Sequence, residues 1–421
     1  MATKRNENAS IRQLADWYLT NFPENLPERL IGLEKEYPVV TRGTYEAADV
    51  RKIFPCLRDR GWQPIFDDVY QDELMGVRRR GVRIGTDVGR CTLEIAVPPA
   101  RSVVSGAHIL QEAERIAAST CEESGMIVLG YGIQPVTSPD SRLWIKKRRN
   151  EIVRGGMPVA FCDTTITAAD QVHLSISRHE IIDCVNVFNA LTGPIIRLFA
   201  HSPFWGGRLD AEQRLAVRES MWSFAREKAG MPTRRFSDLE DFLSYMARLR
   251  FNLARRRGKY VVPAGTFLEW MMEGDDWHEQ WRFHEGLVWL NARPRVLFGT
   301  VEIRPACSQR SGAIANLAAL AAGVIENLAE AVALVDSVPW SRWVRFREQA
   351  IRGVFDDALE RVTKDVLAIA QTDLERHTIG EVSLLEPLWQ RAEKKTNPAH
   401  VAAGIVRKSG LEGLIRHVAV Q

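Results

Sequence analysis

Hydrophobic and polar positions alternate over several short stretches in the first three-quarters of the chain and recur at helical spacing elsewhere. Residues 10–21 carry apolar side chains at helical spacing behind Ser10, which predicts an N-capped helix. Residues 30–40, LIGLEKEYPVV, predict a strand, and 46–59 a helix broken near Pro55. Residues 62–99 predict several antiparallel strands that stop at Pro98-Pro99. A helix over 104–124, a strand over 126–133 and a basic helix over 141–154 follow. QVHLSIS (171–177) alternates strictly and predicts a strand. Helices are expected at about 180–200, 211–228 and 237–255, then a strand at 298–305. From residue 310 onwards the pattern is almost wholly helical.

Strands and helices interleave without a repeating strand–helix unit. That favours an α+β fold with a mostly antiparallel sheet over a doubly wound one. The expected division is one main domain over 1–336 and a helical region over 337–421 packed on it, which need not be a separate domain. The most apolar stretch, 311–335, is interrupted by Asn316, Glu326, Asn327 and Glu330, so a buried helix is expected rather than a membrane span.

Composition narrows the class only slightly. The 421 residues are 45% apolar and 26% charged, with a net charge of +3, which excludes a disordered chain and offers no bulk signal for nucleic acid. The six cysteines form no C-x-x-C pair. The N-terminus MATKRNENAS lacks an apolar signal region, so the expected compartment is the cytoplasm. There is no phosphate-loop motif, no G-x-G-x-x-G, no H-E-x-x-H and no G-x-S-x-G. A nucleotide would therefore have to be held another way, with metal ions the first candidate.

The alternation itself carries the chemistry. Residues i and i+2 of a strand share a face. Glu34 and Glu36 share one, opposite Leu33, Tyr37 and Val39, which lie with Lys35. Glu94 opposes Leu93, Ile95 and Val97. Gln171, His173 and Ser175 oppose Val172, Leu174 and Ile176, and Glu302 and Arg304 oppose Val301 and Ile303. A sheet with one face in water gives the same alternation. The choice of residues points further: carboxylates with one His and one Arg suit hard cations, and they would repel one another without cations between them.

GLEKE (32–36), the run T-D-x-x-x-x-x-L-E-I-x-x-P from Thr86 to Pro98, QVHLSIS and GTVEIRP (299–305) together resemble the glutamate–cysteine ligase family and its carboxylate–amine ligase relatives. LGYGIQP (129–135), NALTGPIIRLFAHSPFWGG (189–207), Arg218-x-x-x-Trp222 and the tail 384–406 agree with it in order and spacing. The resemblance implies a glutamine-synthetase-like funnel, a curved sheet covered by helices. It implies ATP as co-substrate and two or three Mg²⁺ ions, with Glu34, Glu36, Asp87, Glu94, His173 and Glu302 as ligands. Arg304 would contact phosphate, making Arg304 and Glu302 the catalytic pair. Gln134, Gln171, Arg218 and Trp222 would shape the pocket for an amino acid and an amine. The implied reaction is amide formation through an acyl phosphate, with glutamate as donor and a place in glutathione biosynthesis. Glu302→Gln is expected to abolish turnover with the fold intact.

Two segments depart from that pattern. After Arg304 comes Pro-Ala-Cys-Ser-Gln, where many members carry an acid, and after His173 comes Leu-Ser-Ile-Ser-Arg-His. A relative joining another carboxylate and amine, a non-catalytic nucleotide binder and a metal-dependent hydrolase therefore stay open. The basic runs 78–83, 146–149 and 255–259 read as solvated faces, although one could reach ATP phosphates. No nucleic-acid or membrane partner is expected, and a homo-oligomer is left open.

Overall fold

The computed structural model describes residues 2–157, 159–274, 276–376 and 380–421. Its centre is a nine-stranded sheet, and every pairing within it is antiparallel. In chain order the strands are β1 (Ile31–Thr41), β2 (Gln63–Phe66), β3 (Leu74–Arg79), β4 (Val82–Thr86), β5 (Thr92–Ala96), β6 (Met126–Val128), β7 (Asp170–Ser175), β8 (Ala292–Arg295) and β9 (Thr300–Ile303). Their spatial order is β8-β9-β7-β1-β5-β4-β3-β2, with β6 pairing the far end of β1. The sheet is mixed with many helices, and the chain beyond residue 313 is helical almost throughout. The expected α+β architecture is the one observed.

One sheet face is apolar for the reason the alternation gave. Leu33, Tyr37 and Val39 of β1 lie with Leu93, Ile95, Ile84, Val172, Leu174, Val301 and Ile303, all buried. Each such side chain contributes roughly 1.5–3 kcal/mol when fully buried. The helices Val103–Glu123 and Ile314–Glu326 cover that face, and every residue from Ile314 to Ile325 is buried. Trp343, Phe346, Leu359 and Leu388, from beyond residue 336, belong to the same core cluster.

Lys35 sits in this apolar layer, wholly buried. Its Nζ lies 3.5 Å from Glu114 and 3.8 Å from Asp170 and donates to the Arg310 carbonyl at 3.1 Å. Asp170 is its cross-strand partner in the β1–β7 register. The charge is thus met by two acids inside the core, as burial requires.

Several local expectations change. Ser10 lies inside the helix Ala2–Leu19 rather than capping one. Pro55 stands in the first turn of Phe54–Asp59, where its missing N–H costs nothing, so it opens that helix instead of breaking one. The 126–133 strand ends at Val128, because the main chain of Gly130 and Gly132 turns to pair with Val418 and His201. The 141–154 helix is a short 3₁₀ turn, Ser141–Leu143, and a later helix, Arg148–Gly156. Only Val217–Met221 and the 3₁₀ turn Trp222–Ala225 are helical within 211–228. The stretch 180–200 is two helices, Ile181–Ala190 and Thr192–Phe199, bent by 49°. The apolar run 311–335 is also two, Ile314–Glu326 and Leu328–Asp336, meeting at 87°. No single helix among the described residues is long and apolar enough to cross a membrane; these two bent pairs qualify only when each is taken together.

Candidate active site

The polar face of the sheet is assembled by register. β1–β5 pairing sets Glu36 opposite Glu94, and β4–β5 pairing sets Gly85 beside Glu94. One step along the same face, Glu34 lies opposite Gln171. One step further, Gly32, His173, Glu302 and Arg293 form a row across β1, β7, β9 and β8. Asp87 follows β4 in the turn toward β5 and is half-buried. Four strands, the turn after β4 and the residue that follows β9 therefore bring Glu34, Glu36, Asp87, Glu94, Gln171, His173, Glu302 and Arg304 together.

Gln171 links the acidic and basic parts. Its Nε2 donates to Glu36 Oε1 at 2.7 Å, and its Oε1 accepts from Arg304 Nη1. The second oxygen of Glu36 accepts the Ala169 N–H at 2.8 Å. Arg83 reaches Glu94 at 3.3 Å from the solvent side. Glu302 is the most crowded acid. Arg293 donates to both its oxygens, at 3.0 and 3.1 Å, and Arg295 and Arg304 bind it as well.

These surroundings separate the carboxylates electrostatically. Burial, then Glu94 and Glu302, push the Glu34 carboxyl up to about 8. Burial and the charge of Asp87 raise Glu36 well above the usual range, and burial raises Glu94. Burial opposes ionisation of Glu302 too, but Arg293, Arg304 and Arg295 outweigh it and hold its carboxyl well below the usual range. Burial takes His173 down to about 4, so its ring is neutral near pH 7.

The basic residues were only partly legible. Lys146 of the 146–149 run points outward to Glu73, whereas Lys147 turns in and donates to the Thr86 carbonyl at 2.8 Å. Burial lowers its ammonium to about 8 despite the charge of Glu94. Arg149 is half-buried in the same run. Arg293 and Arg295 also reach the site, and the only signal of them in the sequence is Arg293-Pro294-Arg295 one hairpin before the Glu302 strand. In the run 78–83, Arg78, Arg79 and Arg80 are exposed while Arg83 turns to Glu94, and the run 255–259 is exposed.

Arg218 lies on Val217–Met221, and its Nη1 donates to the Arg304 carbonyl at 3.1 Å. Trp222 follows it, with its ring 5.4 Å from that of Trp289. Gln134 is fully buried and donates to the main-chain carbonyls of Val39 and Cys91, at 3.1 and 3.2 Å. It ties β1 to the turn before β5. Cys307 is buried, 3.5 Å from Ser202 Oγ, and a Cβ on Gly132 would come within 2.8 Å of it. Burial raises its thiol pKa, which does not favour a nucleophile.

Whether divalent cations suit this site depends on which end is considered. Glu34, Glu36, Asp87 and Glu94 offer oxygen donors whose mutual repulsion a cation would relieve, so their chemistry fits Mg²⁺. Glu302 has both oxygens taken by guanidinium groups. Among the described residues no three His, Cys, Asp or Glu side chains converge closely enough to hold an ion.

The comparisons agree with this architecture. The chain matches the family described as glutamate-cysteine ligase family 2 over residues 30–401. It is 24% identical over 418 residues to the chloroplastic glutamate–cysteine ligase of Brassica juncea, covering 91% of this chain and 78% of that one. The chloroplastic glutamate–cysteine ligase of Arabidopsis thaliana is also 24% identical, over 67% of this chain and 58% of its own. Among solved structures, the glutamate–cysteine ligase of Francisella tularensis in complex with AMP superposes with a TM-score of 0.56 at 12% identity, covering 94% of this chain and 88% of that one. A bifunctional glutathione synthetase from Pasteurella multocida gives 0.52 at 13% identity, and the chain spans about half of its length, 52%. At these identities the superpositions speak for the fold, and the family match for kinship: the chain belongs to glutamate-cysteine ligase family 2, a family of ligases.

Proposed function

We propose that the chain is an ATP- and Mg²⁺-dependent carboxylate–amine ligase that forms an amide through an acyl phosphate, with glutamate as donor. The observation that carries this reading is the division of one sheet face into a carboxylate end, Glu34, Glu36 and Glu94, and a guanidinium end around Glu302, bridged by Gln171. A carboxylate is a poor electrophile, and the γ-phosphoryl group of ATP would activate it. Glu34, Glu36, Asp87 and Glu94 would hold Mg²⁺, which would supply neutralisation of phosphate oxygens. His173 and Glu302 would join them only if Arg295 or Arg304 left Glu302 for a phosphate.

Arg304 is suited to that exchange. It is held at the site by Gln171 and presents a guanidinium that can move from Glu302 to a phosphoryl group while charge develops. Gln171 fixes the Glu36 carboxylate at the same time. The amine then attacks the activated carbonyl, and phosphate leaves. Arg218 and Trp222 would wall the pocket beside Arg304.

Cysteine is the first acceptor to try. A different amine is the second reading, motivated by the segment Pro-Ala-Cys-Ser-Gln after Arg304, which carries no acid and whose Cys307 is buried beside the site. The test is ADP release with glutamate and a panel of amines in Mg²⁺, with mass spectrometry of the product. One amine should give stoichiometric ADP and amide. No ADP from any carboxylate–amine pair would sink the ligase reading.

A further inference from the structure

Arg304 is clamped through its main chain from both sides. Its N–H donates to the Asn291 carbonyl at 2.9 Å, and its carbonyl accepts from Arg218 Nη1 at 3.1 Å. Both clamps lead to one carboxylate. Asn291 Nδ2 donates to Glu219 Oε1 at 2.8 Å, and Arg218 Nη1 lies 3.5 Å from Glu219 Oε2. Glu219 is 2% exposed, so its charge must be met inside the protein. The remaining partner comes from far along the chain. Arg347, on the helix Trp340–Ile351, donates to Glu219 Oε1 from Nε at 3.2 Å and Nη2 at 3.0 Å.

Each component has a reason to be where it is. Three donors from Asn291 and Arg347 converge on Oε1 of the buried Glu219, and the Arg218 guanidinium faces Oε2, so the carboxylate ties these three side chains together. Asn291 spends its side chain on Glu219 and Thr192 and its carbonyl on Arg304. The helical region beyond residue 336 thus touches the proposed phosphate-binding arginine through a relay of two residues, Glu219 and Asn291, with Arg218 as a parallel arm.

We infer that Glu219 and Arg347 are positioning residues that fix the Arg304 main chain through Asn291 and Arg218. The catalytic half of this inference rests on the proposed role of Arg304 in phosphoryl transfer. A displacement near 1 Å at such a group costs about 100-fold in rate.

The test uses the full chain with Glu219→Gln, Arg347→Met and Arg347→Lys. Hydrogen exchange of the peptide spanning 302–306 reads the clamp without any turnover. Exchange there should quicken by about tenfold in Glu219→Gln and Arg347→Met, return toward wild type in Arg347→Lys, and stay unchanged in the helix Val103–Glu123. Steady-state kinetics add a second readout. In the first two variants kcat should fall by about 10- to 100-fold with little change in KM for the amine, and Arg347→Lys should recover part of it. Unchanged exchange at 302–306, or exchange raised equally across the helix Val103–Glu123, would overturn the inference even if kcat fell. A wild-type protein that releases no ADP would defeat the ligase reading, while the exchange result would still decide the clamp.

Discussion

Glu302 holds three guanidinium groups in a buried setting, from Arg293, Arg295 and Arg304. Neutralising it strands those charges. Glu302→Gln should therefore abolish turnover and also destabilise the fold by about 3–5 kcal/mol, readable by urea titration. This revises the expectation of an intact fold, and an unchanged midpoint would argue against the arginine cluster. Asp170 offers a test by pH. Burial, eased by Lys35, leaves its carboxyl raised to about 7. A raised folded-state value favours the fold below the unfolded value and loses that contribution as pH rises through about 7. Asp170→Asn cannot lose it, so its melting temperature relative to wild type should climb between about pH 4 and pH 7 and then level off. A constant gap would contradict the assignment. Alternation alone put Glu34, Glu36, Gln171, His173, Glu302 and Arg304 on one face, because a strand's period is local. Glu219, Arg293, Arg295 and Lys147 were illegible because their roles come from partners across the sheet or far along the chain.

At the scale of elements, the strands that carry the acids were plain in the sequence, whereas the edge strand β8, whose Pro294 breaks the alternation, and most helix ends were not. The run 311–335 carries the polar pair Glu326-Asn327, but such a pair is also found inside continuous helices and does not announce a bend of 87° at Asn327. What stabilises the bend is tertiary: Asn327 Nδ2 donates to the Ile369 carbonyl at 2.9 Å. The same helix explains Gly323. A Cβ there would lie 2.3 Å from the Ala370 oxygen, so the helices Ile314–Glu326 and Asp357–Leu374 approach closely because that position has no side chain. Gly323→Ala should cost about 1–3 kcal/mol by forcing them apart, despite the better helix propensity of alanine. A stabilised variant in denaturant titration would contradict this packing. The shortening of 126–133 has the same origin, main-chain contacts that a local pattern does not encode, whereas the break of 180–200 falls beside Gly193-Pro194, a local signal.

Across the whole molecule, balanced composition conceals segregation. The net charge of +3 averages an acid-rich sheet face, a guanidinium cluster beside it and basic runs on the outside. One core spans the sheet and the helices beyond residue 336, and Arg347 extends that continuity to the site. Under the proposed function each of these parts would take a task in activating a carboxylate. The most direct measurement follows one oxygen atom. With glutamate labelled by ¹⁸O in its carboxylates, and the amine that supports turnover, each phosphate released should carry one labelled oxygen, in step with ADP and amide. Unlabelled phosphate accompanying ADP would contradict an acyl-phosphate route.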